Sequence, residues 1–281
     1  MATQTLSPAQ SRPAGPGAPV IALDHVKLAF DEKVVLADMS FALMKGRTKI
    51  ILGASGSGKS ITLKIITGLL RPDAGAVLVN GHRVDQLSER DLMPVRGDLG
   101  MIFQEGALFD SLTVRENVGY KLYEETDMPL DQIDRRVEEV LGFMGLAEHI
   151  DKAPSALSGG QRRRVAIARA MAFKPQILLY DEATTGLDPI TATTVDDEVI
   201  KLRDLEGVSS ILVTHQLRDA FYVARNMAVR KPDGVVAIVP ATPEKVDESE
   251  FIMLKDGLIC FEGNAEELQH STDPYLKTFL S

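Results

Sequence analysis

The chain has 281 residues, of which 44% are hydrophobic and 25% are charged, and its formal net charge is −9. This length suffices for one large α/β domain or two small ones with a substantial buried core. The acidic balance argues against general nucleic-acid binding, because contacts to phosphates need a basic surface. We therefore expect no nucleic-acid partner.

The chain contains a single cysteine, Cys260, which excludes an internal disulfide and a metal site built from a cysteine cluster. Its apolar, strand-like surroundings predict a packing role. No apolar run approaches the roughly 18 residues of a membrane-spanning helix, and the N-terminus shows no basic-then-apolar signal. We therefore expect any membrane role to come through a partner.

The first half of the chain shows a clear order of predicted elements. Residues 1–19 are rich in Pro and Ala without hydrophobic periodicity, so we expect a disordered tail. The alternation over 26–43 predicts antiparallel strands, and 49–52 predicts a short buried strand. A helix is expected from 59 to about 70, and the Asn-Gly pair within 76–81 predicts a hairpin.

Residues from about 105 to 160 form a separate compositional block, in which 132–146 places its apolar residues on one helical face. Beyond it, the pattern predicts a strand at 177–180, a helix at about 190–205 and a strand at 210–214. Residues 231–250 interrupt the expected pattern as an insertion of about twenty residues without a predicted function. Residues 271–281 are expected to form a C-terminal tail.

Residues 53–60 read Gly-Ala-Ser-Gly-Ser-Gly-Lys-Ser, between a predicted strand and a predicted helix. Glycines in such a loop turn backbone N–H groups toward an anion, and the helix adds the positive end of its dipole. Lys59 is expected to reach the β- and γ-phosphates, and Ser60 to ligate Mg²⁺. The nucleotide-binding residues expected here are Gly53, Ser55, Gly56, Ser57, Gly58, Lys59, Ser60 and Ile61.

Asp181 and Glu182 follow directly after the apolar run 177–180. A buried parallel strand would place both carboxylates at its carboxyl end, where α/β sheets bind their ligands. We expect Asp181 to hold Mg²⁺, directly or through water, and Glu182 to polarise the attacking water, a role worth roughly 10²–10⁴-fold in rate. The alternative is a capped strand end without chemistry.

Residues 157–161 read Leu-Ser-Gly-Gly-Gln. Ser158 is expected to cap a helix over 159 to about 172, so that its hydroxyl and the next two amides form an anion site. The residues expected to contact nucleotide here are Ser158, Gly159, Gly160 and Gln161. The run Arg162–Arg164 that follows is expected on a solvated or interdomain helix face.

The order of the glycine-rich loop, the pentapeptide and the acidic strand resembles the ATP-binding subunits of ABC transporters, over about 21–268. The resemblance implies an α/β P-loop NTPase core with an antiparallel β subdomain and an inserted all-α subdomain over about 105–160. This ATP-binding domain would span 20–270. Ile61 and Ala183 stand where the family usually has Thr and Pro, and neither change removes an expected functional group.

The resemblance also implies further site residues. Gln104 matches the glutamine that touches Mg²⁺ or the lytic water, and His215 matches the histidine that contacts the γ-phosphate. Asp188 matches a loop that spans a dimer interface. Phe30 matches an aromatic ring that lies against adenine, although a core position is equally natural for it. The other histidines, among them His149, show no metal-like spacing and are expected in surface positions or loops.

The implied ligands are ATP and Mg²⁺, with Ser60, Gln104 and Asp181 at the metal. The implied catalytic residues are Lys59, Gln104, Glu182 and His215. In the family, the pentapeptide faces the γ-phosphate held by another subunit, so the resemblance implies a homodimer.

Two stretches, 103–120 and 188–191, resemble the ATPases of phospholipid transporters that maintain outer-membrane lipid asymmetry, the Mce-type group. The expected function is therefore ATP hydrolysis that energises phospholipid transport through a separate permease, from the cytoplasmic face of the inner membrane. A periplasmic lipid-binding Mce-type protein and a small soluble regulatory subunit are further implied partners.

Two alternatives remain open. ATPases of amino-acid importers share much of the first stretch, so the chain could serve an importer of amino acids or other small solutes. A soluble ABC protein outside transport is the second alternative. Leu108, Phe109, Leu112 and Val114 either line the groove that receives the permease or form a buried patch.

Overall fold

The computed structural model describes residues 17–104 and 106–280. Most of the expected tail, residues 1–16, therefore lies outside the described residues. The strands are β1 Ile21–Phe30, β2 Lys33–Leu43, β3 Thr48–Gly53, β4 Ala74–Val79, β5 His82–Arg83, β6 Leu99–Ile102, β7 Ile177–Asp181, β8 Ser209–Val213, β9 Asn226–Arg230, β10 Val236–Pro240, β11 Ser249–Lys255 and β12 Leu258–Gly263. The α-helices are α1 Lys59–Ile66, α2 Glu89–Gly97, α3 Val114–Glu125, α4 Leu130–Phe143, α5 Gly159–Ala172, α6 Pro189–Glu206, α7 Leu217–Arg225, α8 Pro243–Val246, α9 Ala265–Gln269 and α10 Pro274–Leu280.

Ten of these strands form one mixed sheet, in the order β5-β4-β1-β2-β12-β11-β3-β8-β7-β6, and β9 pairs with β10 separately. β1 pairs antiparallel with β2 and β4, whereas β11, β3, β8, β7 and β6 run parallel. Both β3 and β8 are buried at every residue, as expected for parallel strands covered on both faces. The predicted α/β P-loop fold with an antiparallel part and an added helical part is confirmed.

The alternation of side chains along β3 separates two hydrophobic clusters. Ile50 and Leu52 belong to a cluster that reaches into α3, α4 and α5, and Ile51 belongs to a cluster on the other face of the sheet. The helical segment between β6 and α5 therefore shares a continuous core with the parallel strands. Movement of this segment requires repacking against the sheet that carries the glycine-rich loop.

Predicted element boundaries are close to those observed. The Asn80-Gly81 hairpin is confirmed, with Val79 paired to His82. Helix α1 ends at Ile66, earlier than expected, because Gly68 adopts a left-handed φ of 68° beside Leu92.

The insertion 231–250 contains β10, α8 and the start of β11. β10 forms a hairpin with β9, in which Val236 pairs with Arg230. Residues 271–281, expected as a tail, contain the helix α10, and its Leu276 is buried in the main cluster.

The expectation for Cys260 is wrong, and that for His149 holds only in part. Cys260 is exposed, because alternate residues of β12 face outward and β12 meets β2 only at the pair of Leu258 with Asp38. His149 lies in a connecting segment, as expected, but it is buried, because the short 3-10 turn Ala147–His149 packs against the start of α5. Within the described ranges, no helix is both long and apolar enough to cross a membrane.

Candidate functional site

The glycine-rich loop follows β3 directly and leads into α1. Gly53, Gly56 and Gly58 all adopt positive φ values, of 153°, 79° and 104°. A Cβ at Gly58 would lie 2.8 Å from Leu36 Cδ2, so this position demands glycine for space as well as conformation. Ser57 Oγ is buried and makes no hydrogen bond within the described residues. The loop thus surrounds a space with polar groups that the chain itself does not fully satisfy.

Lys59 is the buried cation of this loop, with only 4% of the residue exposed. Its Nζ donates to the carbonyls of Gly53 at 2.8 Å and Ala54 at 3.1 Å, and lies 3.7 Å from Glu182 Oε1. Burial lowers the pKa of Lys59, although Glu182 and Asp181 oppose this shift. An anion in the loop would therefore stabilise the charged amine.

Ser60 and Asp181 meet at the carboxyl end of β7. The Ser60 hydroxyl donates to Asp181 Oδ1 at 2.6 Å. Burial raises the pKa of Asp181, and the hydrogen bond from Ser60 only partly offsets this. A hydroxyl beside a carboxylate that is disfavoured as an anion is a donor set that fits Mg²⁺, which binds hard oxygen ligands.

Gln104 follows β6 at the same edge of the sheet as Ser60 and Asp181, and it is exposed. β6 ends at Ile102, whose partner in β7 is Tyr180, so Gln104 follows the same edge of the sheet as Asp181. Among the described contacts, none joins Gln104 to Ser60 or Asp181. The structure therefore places Gln104 at the edge of the sheet where Mg²⁺ is expected, but its side chain has no described contact with the other expected metal ligands.

Glu182 stands at the centre of the charged side chains. Its Oε2 lies 3.3 Å from His215 Nδ1 and accepts a hydrogen bond from Thr185 Oγ1 at 3.2 Å. Its backbone has a φ of 52°, and its N–H donates to the carbonyl of Val213 in β8. A left-handed conformation at a bulky residue costs on the order of 1–3 kcal/mol and persists only where the surroundings hold it.

The predicted cap at Ser158 is confirmed as a reciprocal pair of hydrogen bonds. The Gln161 N–H donates to Ser158 Oγ at 3.3 Å, and the Ser158 N–H donates to Gln161 Oε1 at 2.8 Å. Gln161 Nε2 also lies 2.8 Å from His149 Nε2. A Cβ at Gly160 would lie 2.0 Å from Thr191 Cγ2, so only glycine allows α5 to approach α6 this closely.

Asp188 and Phe30 lie at the surface. Asp188 Oδ1 accepts hydrogen bonds from the N–H groups of Ile190 and Thr191, both at 3.1 Å. Hydrogen bonding from the Thr191 side chain, followed by that from the backbone, lowers the pKa of Asp188. The neighbouring Ile190 is 82% exposed. Phe30 ends β1 with 46% of the residue exposed, so it is not a core residue and its ring face is accessible.

The structure thus brings Lys59, Ser60, Asp181, Glu182 and His215 together at one edge of the sheet. Residues 157–161 and Asp188 instead form helix caps, and none of their described contacts reaches the glycine-rich loop of the same chain. Sequence reasoning missed Thr185, because nothing in its pattern marks a partner for Glu182. Of the two faces expected for the arginine run, solvated or interdomain, the solvated one does not apply to Arg163, which is buried between the segments that follow β6 and β7.

Comparison with known proteins agrees with this geometry. The ABC transporter family model matches residues 36–185. The methionine import ATP-binding protein MetN of Bifidobacterium longum is 38% identical over 93% of this chain and 68% of its own length. The chloroplastic protein TRIGALACTOSYLDIACYLGLYCEROL 3 of Arabidopsis thaliana is 36% identical over 90% of this chain and 71% of its own length.

Solved structures match as well. The ATP-binding cassette MJ0796, in a dimeric post-hydrolysis state bound to ADP and Pi, has a TM-score of 0.71 and 29% identity, covering 87% of this chain and 98% of that one. CbiO1 from Clostridium perfringens, part of the CbiONQ transporter complex, has a TM-score of 0.74 and 26% identity, covering 93% and 95%.

Across eight similar proteins, this chain spans 58% to 71% of their length. Seven of these proteins are described as MetN. The family match covers the glycine-rich loop and the acidic strand, whose side chains meet in the site, and also the pentapeptide that caps α5. The chain belongs to the ABC transporter family and is one of its ATP-binding subunits, which hydrolyse ATP.

Proposed function

We propose that this chain is the ATPase of an ABC importer for a small solute of the amino-acid class. It works as a homodimer on separate permease subunits, at the cytoplasmic face of the membrane. The observation that carries the chemistry is the convergence of Lys59, Asp181, Glu182 and His215 beside the glycine-rich loop. The similarity to MetN supports the solute class.

In the proposed reaction, the loop amides and Lys59 bind the β- and γ-phosphates, and Phe30 stacks on adenine. Ser60, Asp181 and Gln104 would hold Mg²⁺, which would supply positive charge that neutralises the phosphates. Glu182 accepts a proton from a water as the water oxygen bonds to the γ-phosphorus. The bond from that phosphorus to the bridging oxygen breaks, and ADP leaves with this oxygen. His215, beside Glu182, orients the γ-phosphate.

The second half of the nucleotide site comes from another copy of the chain. Ser158, Gly159, Gly160 and Gln161 present a helix N-terminus, which favours an anion, and none of their described contacts reaches the glycine-rich loop of the same chain. Asp188 lies close by, because its neighbour Leu187 packs beside Gly159. A dimer is supported by the dimeric state described for MJ0796, and we propose that its two copies are arranged head to tail. Hydrolysis thus requires two copies.

We place the permease contact at an aromatic patch, Phe103, Phe109 and Tyr120, which is exposed. The Phe109 and Tyr120 rings lie 4.6 Å apart, and Arg169 lies 5.8 Å from the centre of the Phe109 ring. Val114 is fully buried and belongs to the core, so only part of the expected groove is available.

Buried Asn117 stabilises the loop that carries this aromatic patch. Its side chain donates to the carbonyls of Phe109, Leu112 and Thr113, and accepts from the N–H of Phe109. A loop held by four hydrogen bonds to one buried amide presents its aromatic rings with little freedom. A rigid loop of this kind suits a surface that transmits movement from one subunit to another.

Phospholipid transport is the second candidate. It is favoured by residues 103–120 and 188–191 and by the Arabidopsis relative, whose name contains a galactolipid. A periplasmic lipid-binding Mce-type protein and a small regulatory subunit belong to this candidate alone. We rank it second because seven of the eight similar proteins are described as methionine import ATPases.

The test is reconstitution of the chain with the permease that copurifies from its native membrane. We expect MgATP to drive accumulation of labelled methionine or another amino acid in proteoliposomes, and Glu182→Gln to prevent it. ATP-dependent transfer of labelled phospholipid without amino-acid uptake would overturn the first candidate in favour of the second. Hydrolysis without either transport would overturn both.

A further inference from the structure

Arg163 lies near the start of α5, and only 8% of the residue is exposed. Its Nη1 donates to the carbonyl of Phe103 at 2.9 Å, and its Nη2 donates to the carbonyl of Thr185 at 3.2 Å. A guanidinium presents its donors in a fixed planar fork, so these two carbonyls are held at a set separation. One side chain therefore joins α5 to the segment after β6 and to the segment after β7.

Both carbonyls belong to segments that carry proposed catalytic side chains. Phe103 directly precedes Gln104. Thr185 donates its N–H to the carbonyl of Glu182 at 3.1 Å and its hydroxyl to Glu182 Oε2 at 3.2 Å. The guanidinium of Arg163 is thus one residue away from Gln104 and one hydrogen-bonded residue away from Glu182.

The backbone conformation of Glu182 explains why the contact between Arg163 and Thr185 matters. Its left-handed φ of 52° is strained and needs support from its surroundings. That support comes from the Val213 carbonyl in β8 on one side and from the turn through Thr185 on the other. Arg163 holds the second side, because it binds the Thr185 carbonyl.

We propose that Arg163 is a positioning residue that fixes Glu182 and Gln104 relative to each other and to α5. The inference rests on the roles proposed above for Glu182 and Gln104. Because Ser158 caps α5 and belongs to the segment proposed to bind the second copy's nucleotide, a shift of α5 on dimer closure moves both segments through the same guanidinium. Dimer closure and the placement of Glu182 therefore occur together.

Arg169 provides a matched control on the same helix. Its Nη1 donates to the carbonyl of Ala107 at 2.8 Å, and its Nη2 donates to the carbonyl of Gly106 at 3.0 Å. It therefore holds the segment after β6 as Arg163 does, but its described hydrogen bonds do not reach residues 182–187. A difference between the two arginines isolates the link to Glu182.

The experiment compares Arg163→Lys with Arg169→Lys in the full-length chain. Lysine keeps the charge but cannot donate from two ends of a planar fork. We expect Arg163→Lys to lower kcat per ATP-binding site on the order of 10- to 100-fold, because small displacements of a catalytic group cost this much. Its affinity for a fluorescent ATP analogue and its unfolding temperature should stay close to wild type. Arg169→Lys should keep the wild-type kcat.

A wild-type kcat in Arg163→Lys would overturn the proposal. So would a loss of total ATPase activity matched by an equal loss of ATP-binding sites, because this would indicate a general effect on folding. Arg163→Gln, which retains an amide donor for one carbonyl, is the second variant and should fall at or below Arg163→Lys in kcat.

A double-mutant cycle tests the route through Thr185. Thr185→Val removes the hydroxyl that contacts Glu182 but keeps the carbonyl that accepts from Arg163. If the two residues act together, Arg163→Lys lowers kcat less in the Thr185→Val background than in wild type. Independent, multiplicative losses would contradict the link. Wild-type turnover in Glu182→Gln would instead overturn the proposed catalytic role of Glu182, which separates that failure from a failure of Arg163.

Discussion

Two clusters of charged side chains in the described part of the chain resemble each other in composition and differ in how well their charges are satisfied. The nucleotide cluster consists of Lys59, Asp181, Glu182 and His215. The second, here named the insertion cluster, consists of Arg203, Asp204 and Lys245. Both mix cations and carboxylates within hydrogen-bonding reach. Only the surroundings separate a site that binds a ligand from one that holds the chain together.

In the insertion cluster, each charged side chain contacts a group of opposite charge. Arg203 donates to Asp204 and to the carbonyls of Val223 and Asn226, and Asp204 also contacts Lys245 at 2.9 Å. Burial would raise the pKa of Asp204, but the hydrogen bond and charge of Arg203 outweigh burial and lower it. This cluster ties α6 to α7, β9 and α8, and thus anchors the segment 231–250.

In the nucleotide cluster, the charged forms are disfavoured instead. Burial lowers the pKa of Lys59 and raises that of Asp181, and Ser57 Oγ nearby makes no hydrogen bond within the described residues. Such pKa shifts indicate groups whose charged forms a ligand of opposite charge would stabilise. A triphosphate would supply it for Lys59, and a divalent cation would supply it for Asp181. The two clusters therefore differ in whether their own charges satisfy one another or leave room for a charged ligand.

The largest expected effect is at the nucleotide cluster. Glu182→Gln should lower hydrolysis by roughly 10²–10⁴-fold, because it removes the proton acceptor for the attacking water. ATP binding should survive, and ATP should trap the dimer, as measured by light scattering. Glu206→Gln, an exposed carboxylate at the end of α6, is the control and should keep wild-type turnover. Substantial turnover in Glu182→Gln would remove this residue from the acceptor role.

The insertion cluster should respond through stability. Asp204→Asn leaves Arg203 buried without its anionic partner, so we expect a loss of about 3–5 kcal/mol in the free energy of unfolding. ATP hydrolysis per folded molecule should be unchanged. The exposed pair of Asp131 with Arg135 is the control, and Asp131→Asn should cost less than about 1 kcal/mol.

The pH dependence gives a second readout for Asp204. Because its folded pKa is lowered, its contribution to stability is complete above the unfolded pKa of about 3.9 and is lost as the pH falls through the folded value. Wild type should therefore lose this stability in acid, and Asp204→Asn should show a flatter acid limb in chemical denaturation. Equal acid limbs would show that Asp204 is not the group responsible.

The smallest effect has the opposite sign. Because the folded pKa of Asp181 is raised, its ionisation costs stability as the pH rises from about 3.9 through the folded value. Asp181→Asn should therefore stabilise the ligand-free chain at neutral pH by up to about 2 kcal/mol. The same variant should lose most of the further stabilisation that MgATP gives wild type. If the ligand-free Asp181→Asn variant had a lower unfolding temperature than wild type, the proposed distinction between the two clusters would be wrong.

Much of the nucleotide site was accessible from sequence because its signals are local. The strand, the glycine-rich loop and α1 are contiguous, and the cap of α5 follows from Ser158 and Gln161 three residues apart. The fold class followed from the same motifs.

The rest depends on contacts between distant segments. Arg163 belongs to a basic run that predicts a solvated or interdomain face, yet its partners Phe103 and Thr185 lie 60 and 22 residues away. His149 is buried by Gln161, and Cys260 is exposed because β12 meets β2 at one pair only. No periodicity in the chain encodes these partners.

The central claim, that each nucleotide site combines the glycine-rich loop of one copy with residues 157–161 of another, has a direct test. Ser158→Arg and Lys59→Ala are each expected to be inactive as pure proteins. Mixed in equal amounts, they should regain hydrolysis, because half of the dimers would be mixed and each would hold one intact site, about a quarter of all sites. A mixture that forms mixed dimers, shown by differential tags, and yet remains inactive would contradict the shared site.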